Sequence, residues 1–266
     1  MNGRRIAFTL LTAGISLAAA VRVQGQRGGP PAAAVSAPKA AAPIDLTGYW
    51  VSIVSEDWRY RMVTPAKGDY QGVPMTPDAV KVADAWDPAA DTSAGNQCRS
   101  YGAAAIMRVP GRVHISWPDD NTLRLETDAG TQVRTLRFDA SGGPTSTQAN
   151  GEPSWQGSSV AQWETPAAGR GGRGTGPDAP RTGSLKVVTT NLKAGYLRKN
   201  GVPYSENAKV TEYFDLARER SGEQLLVVTA VVEDPKYLRQ PFIVSSQFKK
   251  QADAKGWDPS PCSATW

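Results

Sequence analysis

The sequence has one histidine and two cysteines among its 266 residues. A zinc site is built mostly from several cysteines and histidines, and no group of acidic residues has the spacing of an EF-hand loop. A Ser-His-Asp or Cys-His catalytic unit would have to use His114, which lies in the middle of an alternating strand pattern. The sequence therefore predicts no metal site and disfavours catalysis by histidine.

The N-terminal region lacks an apolar run of the roughly 20 residues that a membrane-spanning helix needs. Its uncharged run, 6–20, is only about 15 residues long, follows two arginines and precedes small residues, as in a secretory signal peptide. We predict a signal peptide over 1–26, a periplasmic or secreted protein, and no permanent membrane anchor after cleavage. Because Arg4 and Arg5 are adjacent, general and twin-arginine export both stay open.

The body of the chain lacks an excess of either charge, although the formal net charge is +5. Five of the 30 basic residues and none of the 25 acidic residues fall within 1–44, which leaves 25 of each sign in the remainder. A nucleic-acid-binding domain normally carries a basic surface. The sequence therefore predicts no nucleic-acid partner, and it leaves the oligomeric state open.

Two segments are rich in proline and small residues. Residues 27–44 are interpreted as a Pro/Ala/Gly-rich linker, which makes 45–266 a single β-rich domain. Residues 165–182 are interpreted as a flexible Gly/Pro loop inside that domain. Glycines in this loop match the dinucleotide-binding string, but the Thr-Gly-Pro-Asp-Ala-Pro that follows cannot begin the helix that holds a pyrophosphate. No cofactor is therefore predicted.

The chain does contain many runs of period-two hydrophobic alternation, the pattern of strands with one buried face. Nine strands are predicted: 49–54, three in a meander within 112–138, 158–164, 184–190, 210–216, 225–233 and 242–249. They favour a single antiparallel all-β domain, either barrel-like (calycin-like) or a curved sandwich. One short helix is predicted at 77–86, because Thr76 can cap it and Pro77 suits its first position.

Cys98 and Cys262 are predicted to form a disulfide, because an exported chain folds in an oxidising compartment. The bond would tie the segment after the predicted helix to the C-terminal tail. The alternative is two unpaired thiols whose Cα atoms lie too far apart for a bond.

The densest run of charged and aromatic residues is Glu56-Asp57-Trp58-Arg59-Tyr60-Arg61, directly after the first predicted strand. Arginines and aromatics at the mouth of a barrel would suit an anionic or aromatic ligand. The alternative is an exposed hairpin with internal ion pairs. The ligand-binding candidates are Trp58, Arg59, Tyr60, Arg61, Trp117 and His114.

Catalytic candidates come from a turn-rich segment near residue 200 and from the strand that follows it. Lys199, Tyr204 and Glu206 are groups that could relay protons, and Glu212 is added from the strand. The alternative interpretation is a tight connection, for which Asn200-Gly201 and Val202-Pro203 account without any catalytic role.

A longer set of motifs resembles one family. The motifs are W-Q-G-S-S-V-A-Q-W-E from Trp155, L-K-V-V-T-T-N from Leu185, G-V-P-Y-S-E from Gly201, T-E-Y-F from Thr211, and V-E-D-P-K-Y-L-R-Q-P-F from Val232. The series is similar to an uncharacterised family of exported β-rich proteins from environmental bacteria. The resemblance covers about 98–249 and implies a β-rich exported protein, with no catalytic residue to carry over. This chain departs from the family at the Gly/Pro loop and at Phe242, where tryptophan is usual.

The first strand adds a second, shorter resemblance, since Gly48-x-Trp50 is similar to the entry signature of lipocalins. Three functions follow as hypotheses. The leading one is a protein that binds a small apolar or aromatic molecule in a barrel-like pocket. The second is a cofactor-independent isomerase, dehydratase or hydrolase, and the third is an envelope interaction protein without a small-molecule site.

Overall fold

The computed structural model describes residues 36–138, 151–165 and 183–265, and Ser36–Trp266 forms one compact unit. The predicted signal peptide 1–26 lies outside the described residues, as does nearly all of the predicted loop 165–182. None of the helices in the described ranges is long and apolar enough to cross a membrane.

Eleven strands form the framework. They are β1 (Gly48–Ile53), β2 (Arg112–Asp119), β3 (Thr122–Thr127), β4 (Val133–Phe138), β5 (Ser158–Glu164), β6 (Ser184–Thr190), β7 (Gly195–Tyr196), β8 (Pro203–Tyr204), β9 (Lys209–Arg218), β10 (Gln224–Glu233) and β11 (Phe242–Gln251). Nine of them close a barrel in the order β1-β11-β10-β9-β6-β5-β4-β3-β2, while β7 and β8 pair separately. The nine barrel strands are the nine predicted strands, and the predicted all-β barrel is confirmed.

The barrel is antiparallel except where β4 runs parallel to β5. Strand direction cannot alternate all the way round a ring with an odd number of strands, so a nine-stranded barrel needs at least one parallel pair. Lipocalin barrels, by contrast, are eight-stranded and up-and-down.

The interior of the barrel is filled with side chains. Alternate residues of each strand point inward, and their large members include Trp50, Phe214 and Phe248, all buried. The Trp50 indole nitrogen donates to the Leu46 carbonyl at 2.9 Å, which satisfies its polar group. This core accounts for the period-two pattern in the sequence.

One end of the barrel, the capped end, is where β1, β3, β6 and β10 finish and β2, β4, β9 and β11 begin. The long connections 54–111 and 191–208 cover it. The helices are α1 (Pro38–Ala41), α2 (Trp58–Arg61), α3 (Pro77–Asp84), α4 (Pro88–Ser93) and the 3-10 helices Gln97–Tyr101 and Ile106–Arg108. A second apolar core, which includes Met75, Leu197, Tyr204 and Phe242, lies under this cover.

The predicted helix is α3, and the other short helices were not predicted. The Thr76 hydroxyl accepts from the Ala79 amide at 3.2 Å, as expected of an N-cap. The helix ends at Asp84, and Asp87 caps α4 by accepting from Ala89 at 2.9 Å. Asp87 and Pro88, directly after the predicted helix, thus begin a second helix.

A plug closes the capped end from inside. Every residue of 101–109 is buried, with less than a tenth of its surface exposed. Ile106 and Met107 pack against the barrel core. The run Ala103-Ala104-Ala105-Ile106-Met107 supplies the apolar surface. Because it lies between two strands and does not alternate, the strand pattern of the sequence does not reveal it.

The predicted disulfide is confirmed, since Cys98 and Cys262 are bonded with Cα atoms 5.0 Å apart. It joins the first 3-10 helix to the C-terminal tail. The tail also contacts the β3–β4 connection, where the Ser260 amide donates to the Asp128 carbonyl at 3.0 Å.

The described part of the predicted linker, 36–44, contacts the barrel. The Trp163 indole donates to the Pro38 carbonyl at 2.8 Å, the Lys39 amide donates to the Asp120 carbonyl at 3.1 Å, and Ile44 packs against the barrel core. These residues therefore belong with the barrel rather than with a free tether.

Candidate functional site

Three buried arginines meet at the capped end, and we call them the arginine cluster: Arg61, Arg108 and Arg198. They come from α2, from the second 3-10 helix and from the segment after β7, and they are 2%, 6% and 4% exposed. Charged guanidinium groups are rarely buried unless they are paired. Three in one place therefore mark this end of the barrel as a candidate site.

Hydrogen bonds within the cover hold two of these guanidinium groups in place. Arg61 Nε donates to the Arg108 carbonyl at 2.7 Å. Arg108 Nη2 donates to Asp57 Oδ2 at 2.9 Å, and its Nη1 donates to the Leu197 carbonyl at 3.5 Å. Asp57, which precedes α2 with a left-handed φ of 51°, is thus the carboxylate that pairs directly with the cluster.

Arg198 is held between aromatic rings. Its Cζ lies 3.9 Å from the centre of the Tyr60 ring and 6.0 Å from that of Phe242. Its Nη1 donates to the Gln71 carbonyl at 2.7 Å. Aromatic faces attract a guanidinium and leave its edge free to donate in the plane of the group.

The surroundings of the arginine cluster disfavour the charged form of its three arginines. Burial lowers the pKa of Arg108 to about 10, the charges of Arg198 and Arg61 lower it as well, and Asp57 opposes them. Burial also lowers the pKa values of Arg61 and Arg198. Each shift means that the protein environment disfavours the charged form, so an added anion would be stabilising here.

Two cavities border the cluster. The inner cavity, of about 20 Å³, is lined by three apolar residues, by Tyr60 and Ser100, and by the cations Arg61, Arg108, Arg198 and Lys199. The outer cleft, of about 320 Å³, is lined by Asp57, Tyr60, Gln71, Gly72, Arg198, Phe242, Ile243 and Val244. Tyr60 and Arg198 therefore line both a small inner space and a cleft large enough for a small molecule.

Lys199 lies beside the arginine cluster and is 3% exposed. Its Nζ donates to the Tyr101 hydroxyl at 2.6 Å and lies 4.4 Å from the centre of that ring. Burial lowers the pKa of Lys199 to about 8. The Tyr101 hydroxyl also accepts from the Ser263 amide at 3.3 Å, which links this pair to the disulfide-bonded tail.

The structure places two of the six predicted ligand-binding residues, Tyr60 and Arg61, at these cavities. Trp58 is 62% exposed, and Arg59 pairs with Asp69 on the surface. His114 lies 3.1 Å from Glu126 and stacks on Tyr49 outside the barrel interior.

The sixth, Trp117, belongs to a different cleft at the opposite end of the barrel. It packs with Phe138 and Trp163, with ring centres 5.5 and 6.4 Å away. It also lines an open cleft of about 420 Å³ together with residues of the 39–47 segment. The predicted ligand-binding residues are thus divided between two ends of the barrel.

The four predicted catalytic residues have separate surroundings. Lys199 lies beside the arginine cluster, Tyr204 is buried in the second core, and Glu206 pairs with Lys236 on the surface at 3.4 Å. Burial raises the pKa of Tyr204, whose hydroxyl has no hydrogen-bond partner among the described residues.

Glu212 points into the barrel and forms a buried ion pair with Arg134, which sequence analysis did not single out. The pair is bidentate, with Nη1–Oε1 at 2.9 Å and Nη2–Oε2 at 2.5 Å. Arg134 Nη2 also donates to the Thr189 hydroxyl at 3.3 Å, and Thr189 contacts Ser159 at 2.8 Å. Both carboxylate oxygens of Glu212 are therefore bound by Arg134 inside the barrel.

Sequence analysis missed Arg108, Arg198 and Phe242 as members of the candidate site. Arg108 directly follows the apolar run of the plug. An arginine at the end of such a run could have indicated a buried charge. Arg198 precedes Lys199 in the segment that was examined for catalysis. Phe242 stands out in the sequence as the position where the resembled family usually has tryptophan, and that difference does not indicate a site.

No group of three or more His, Cys, Asp and Glu side chains is arranged to hold a metal ion in the described parts of the chain. Comparisons with protein-family models, with curated proteins and with solved structures found no match to this chain.

Proposed function

We propose that this protein is exported and binds a small aromatic or apolar molecule that carries an anionic group, such as an aromatic carboxylate, in the outer cleft. The observation that carries the proposal is the guanidinium of Arg198, held against the Tyr60 ring at the wall of a cleft of about 320 Å³. Small-molecule sites are clefts of about this size with apolar walls and a few fixed polar groups.

The two sides of the cleft suit the two parts of such a ligand. Phe242, Val244 and the exposed Ile243 supply apolar surface for a ring. Arg198 supplies a planar donor for a carboxylate, which guanidinium groups bind with paired hydrogen bonds. Asp57, the acid in the lining, is engaged by Arg108 at 2.9 Å, which lessens its repulsion of an anionic ligand.

Export is supported by the N-terminal pattern and by the disulfide, since disulfides persist in oxidising compartments. Membership of the family of exported β-rich bacterial proteins stays a prediction. The enzyme hypothesis has less support, because two of its four candidate residues, Glu206 and Glu212, are held in ion pairs in different environments.

Calorimetric titration with 2-naphthoate tests the function. We expect saturable 1:1 binding to the wild type and binding at least 10-fold weaker to Arg198→Gln, because a hydrogen bond to a charged group contributes about 1.5–3 kcal/mol. Arg59→Gln is the matched control, since Arg59 is an exposed arginine of the same region that pairs with Asp69. It should bind as the wild type does.

The neutral analogue 2-naphthylmethanol separates anion recognition from simple apolar binding. Equal affinity for the acid and the alcohol would show that Arg198 does not recognise the carboxylate. Tyr60→Leu provides a second test of the site, because it removes the ring under the guanidinium without changing any charge. Native mass spectrometry of protein purified from the periplasm would show which molecule it retains.

A further inference from the structure

Positive charge is concentrated around the inner cavity. Three arginines line it, namely Arg61, Arg108 and Arg198. Three carboxylates act on them: Asp57 bonds Arg108 at 2.9 Å, Glu56 raises the pKa of Arg61, and Asp69, which Arg59 engages on the surface, raises the pKa of Arg198. Among the described residues only Arg108 has a direct ion pair with a carboxylate, and burying a charge without such a partner is costly.

Two guanidinium nitrogens of the lining residues lack hydrogen-bond acceptors. Arg61 Nη2 and Arg198 Nε are buried and have no partner among the described residues. Arg61 and Arg198 are 2% and 4% exposed, so solvent does not replace the missing acceptor. A buried donor without a partner is destabilising, and more so when the group is charged.

The size of the cavity selects what can supply the missing acceptor. Its volume of about 20 Å³ is enough for one particle of roughly the size of a water molecule. The space is partly open, so a phosphate or sulfate enters it only in part, whereas a monatomic anion fits whole. The walls also include Ala105, Val109 and Leu197, which keep the local dielectric low and strengthen the attraction between a small anion and the cations.

We propose that the inner cavity binds one monatomic halide ion, chloride under ordinary conditions, which neutralises and fixes the arginine cluster. The ion joins three segments that are far apart in the sequence: α2, the plug and the segment after β7. Its role is structural, and it is distinct from the ligand of the outer cleft, which the inner cavity is too small to admit. Titrations without any organic ligand therefore test it independently of the proposed function.

Thermal unfolding of the disulfide-intact protein at constant ionic strength tests this site. Sodium gluconate is replaced stepwise by sodium chloride or sodium bromide, and sodium sulfate serves as the large-anion control. We expect Tm to rise by several degrees with chloride or bromide and to saturate, since an ion that binds only the folded state stabilises it by mass action. Sulfate stabilises folded proteins generally because it is excluded from their surface, so its effect on Tm should rise without saturating. Equal Tm values in gluconate and chloride, or a saturable rise of the same size with sulfate, would overturn the proposal.

Variants and diffraction locate the ion. Arg61→Gln should abolish the chloride-dependent part of Tm, while Arg59→Gln, the control on the same helix, should retain it. If Arg61→Gln does not fold, anomalous diffraction from wild-type crystals grown in sodium bromide tests whether a halide ion occupies the inner cavity. A bromide peak within hydrogen-bond distance of Arg61 and Arg198 is the expected result, and density for water alone in that cavity refutes the site.

Discussion

Glu212→Ala should lower the free energy of unfolding by about 3–5 kcal/mol, because it leaves the buried Arg134 guanidinium without its counter-charge. For a domain of this size the loss corresponds to a fall in Tm of about 6–20 °C. Both partners are buried inside the barrel, and among the described residues the other hydrogen bond of the Arg134 guanidinium is to the Thr189 hydroxyl. Chemical denaturation monitored by tryptophan fluorescence measures the effect.

A second variant distinguishes the cost of an unpaired charge from the contribution of the pair. Arg134→Met combined with Glu212→Leu removes both charges while it keeps the volume filled, and we expect it to recover most of the lost stability. The matched surface pair is Lys209 and Glu233, 2.7 Å apart and about half exposed. Glu233→Ala should cost less than about 1 kcal/mol. A Glu212→Ala protein as stable as the wild type would contradict the argument.

The strands were predictable because their burial is periodic. Each barrel strand has one face toward a filled interior, so the alternation in the sequence indicates where the strands lie and which face is buried. The order of the strands around the barrel carries no such signal. Nothing local indicates that β4 pairs in parallel with β5, since that pairing follows from closure of nine strands rather than from either segment alone.

Arg134 shows why the buried ion pair was not predicted. In β4, Val133 and Thr135 share one face, and Arg134 and Leu136 share the other. The pattern is compatible with either face being buried, and Leu136 decides for the face that contains the arginine. The partner Glu212 comes from β9, 78 residues further on, and only the closed barrel brings the two together.

The candidate site was predictable in part for a similar reason. Tyr60 and Arg61 were found because charge and aromatic residues are concentrated in one short run. Arg108 and Arg198 are isolated arginines in segments without periodicity, and their proximity arises from how the plug and the cover pack. Local composition therefore located one side of the site, whereas tertiary packing supplies the other.

Removal of the disulfide should have the second large effect on stability. The bond between Cys98 and Cys262 spans 164 residues of sequence. In the chain-entropy model a loop of that length contributes about 5 kcal/mol, and measured values often fall below the model. Cys262→Ser should therefore lower Tm by several degrees at least, and the far-UV circular dichroism should keep its strand signature, because the barrel ladder does not include the tail.

The tail gives this variant a further local consequence. Its contacts next to the bond are few: the Ser260 amide on the Asp128 carbonyl, the Thr131 hydroxyl on the Ser260 carbonyl, and the Ser263 amide on the Tyr101 hydroxyl. Without the covalent link these should fray, so hydrogen exchange should rise in the tail while the β10 and β11 amides stay protected. Cys98→Ser combined with Cys262→Ser controls for a free thiol and should match the single variant. An unchanged Tm, or two free thiols in protein purified from the periplasm under non-reducing conditions, would refute the role assigned to this bond.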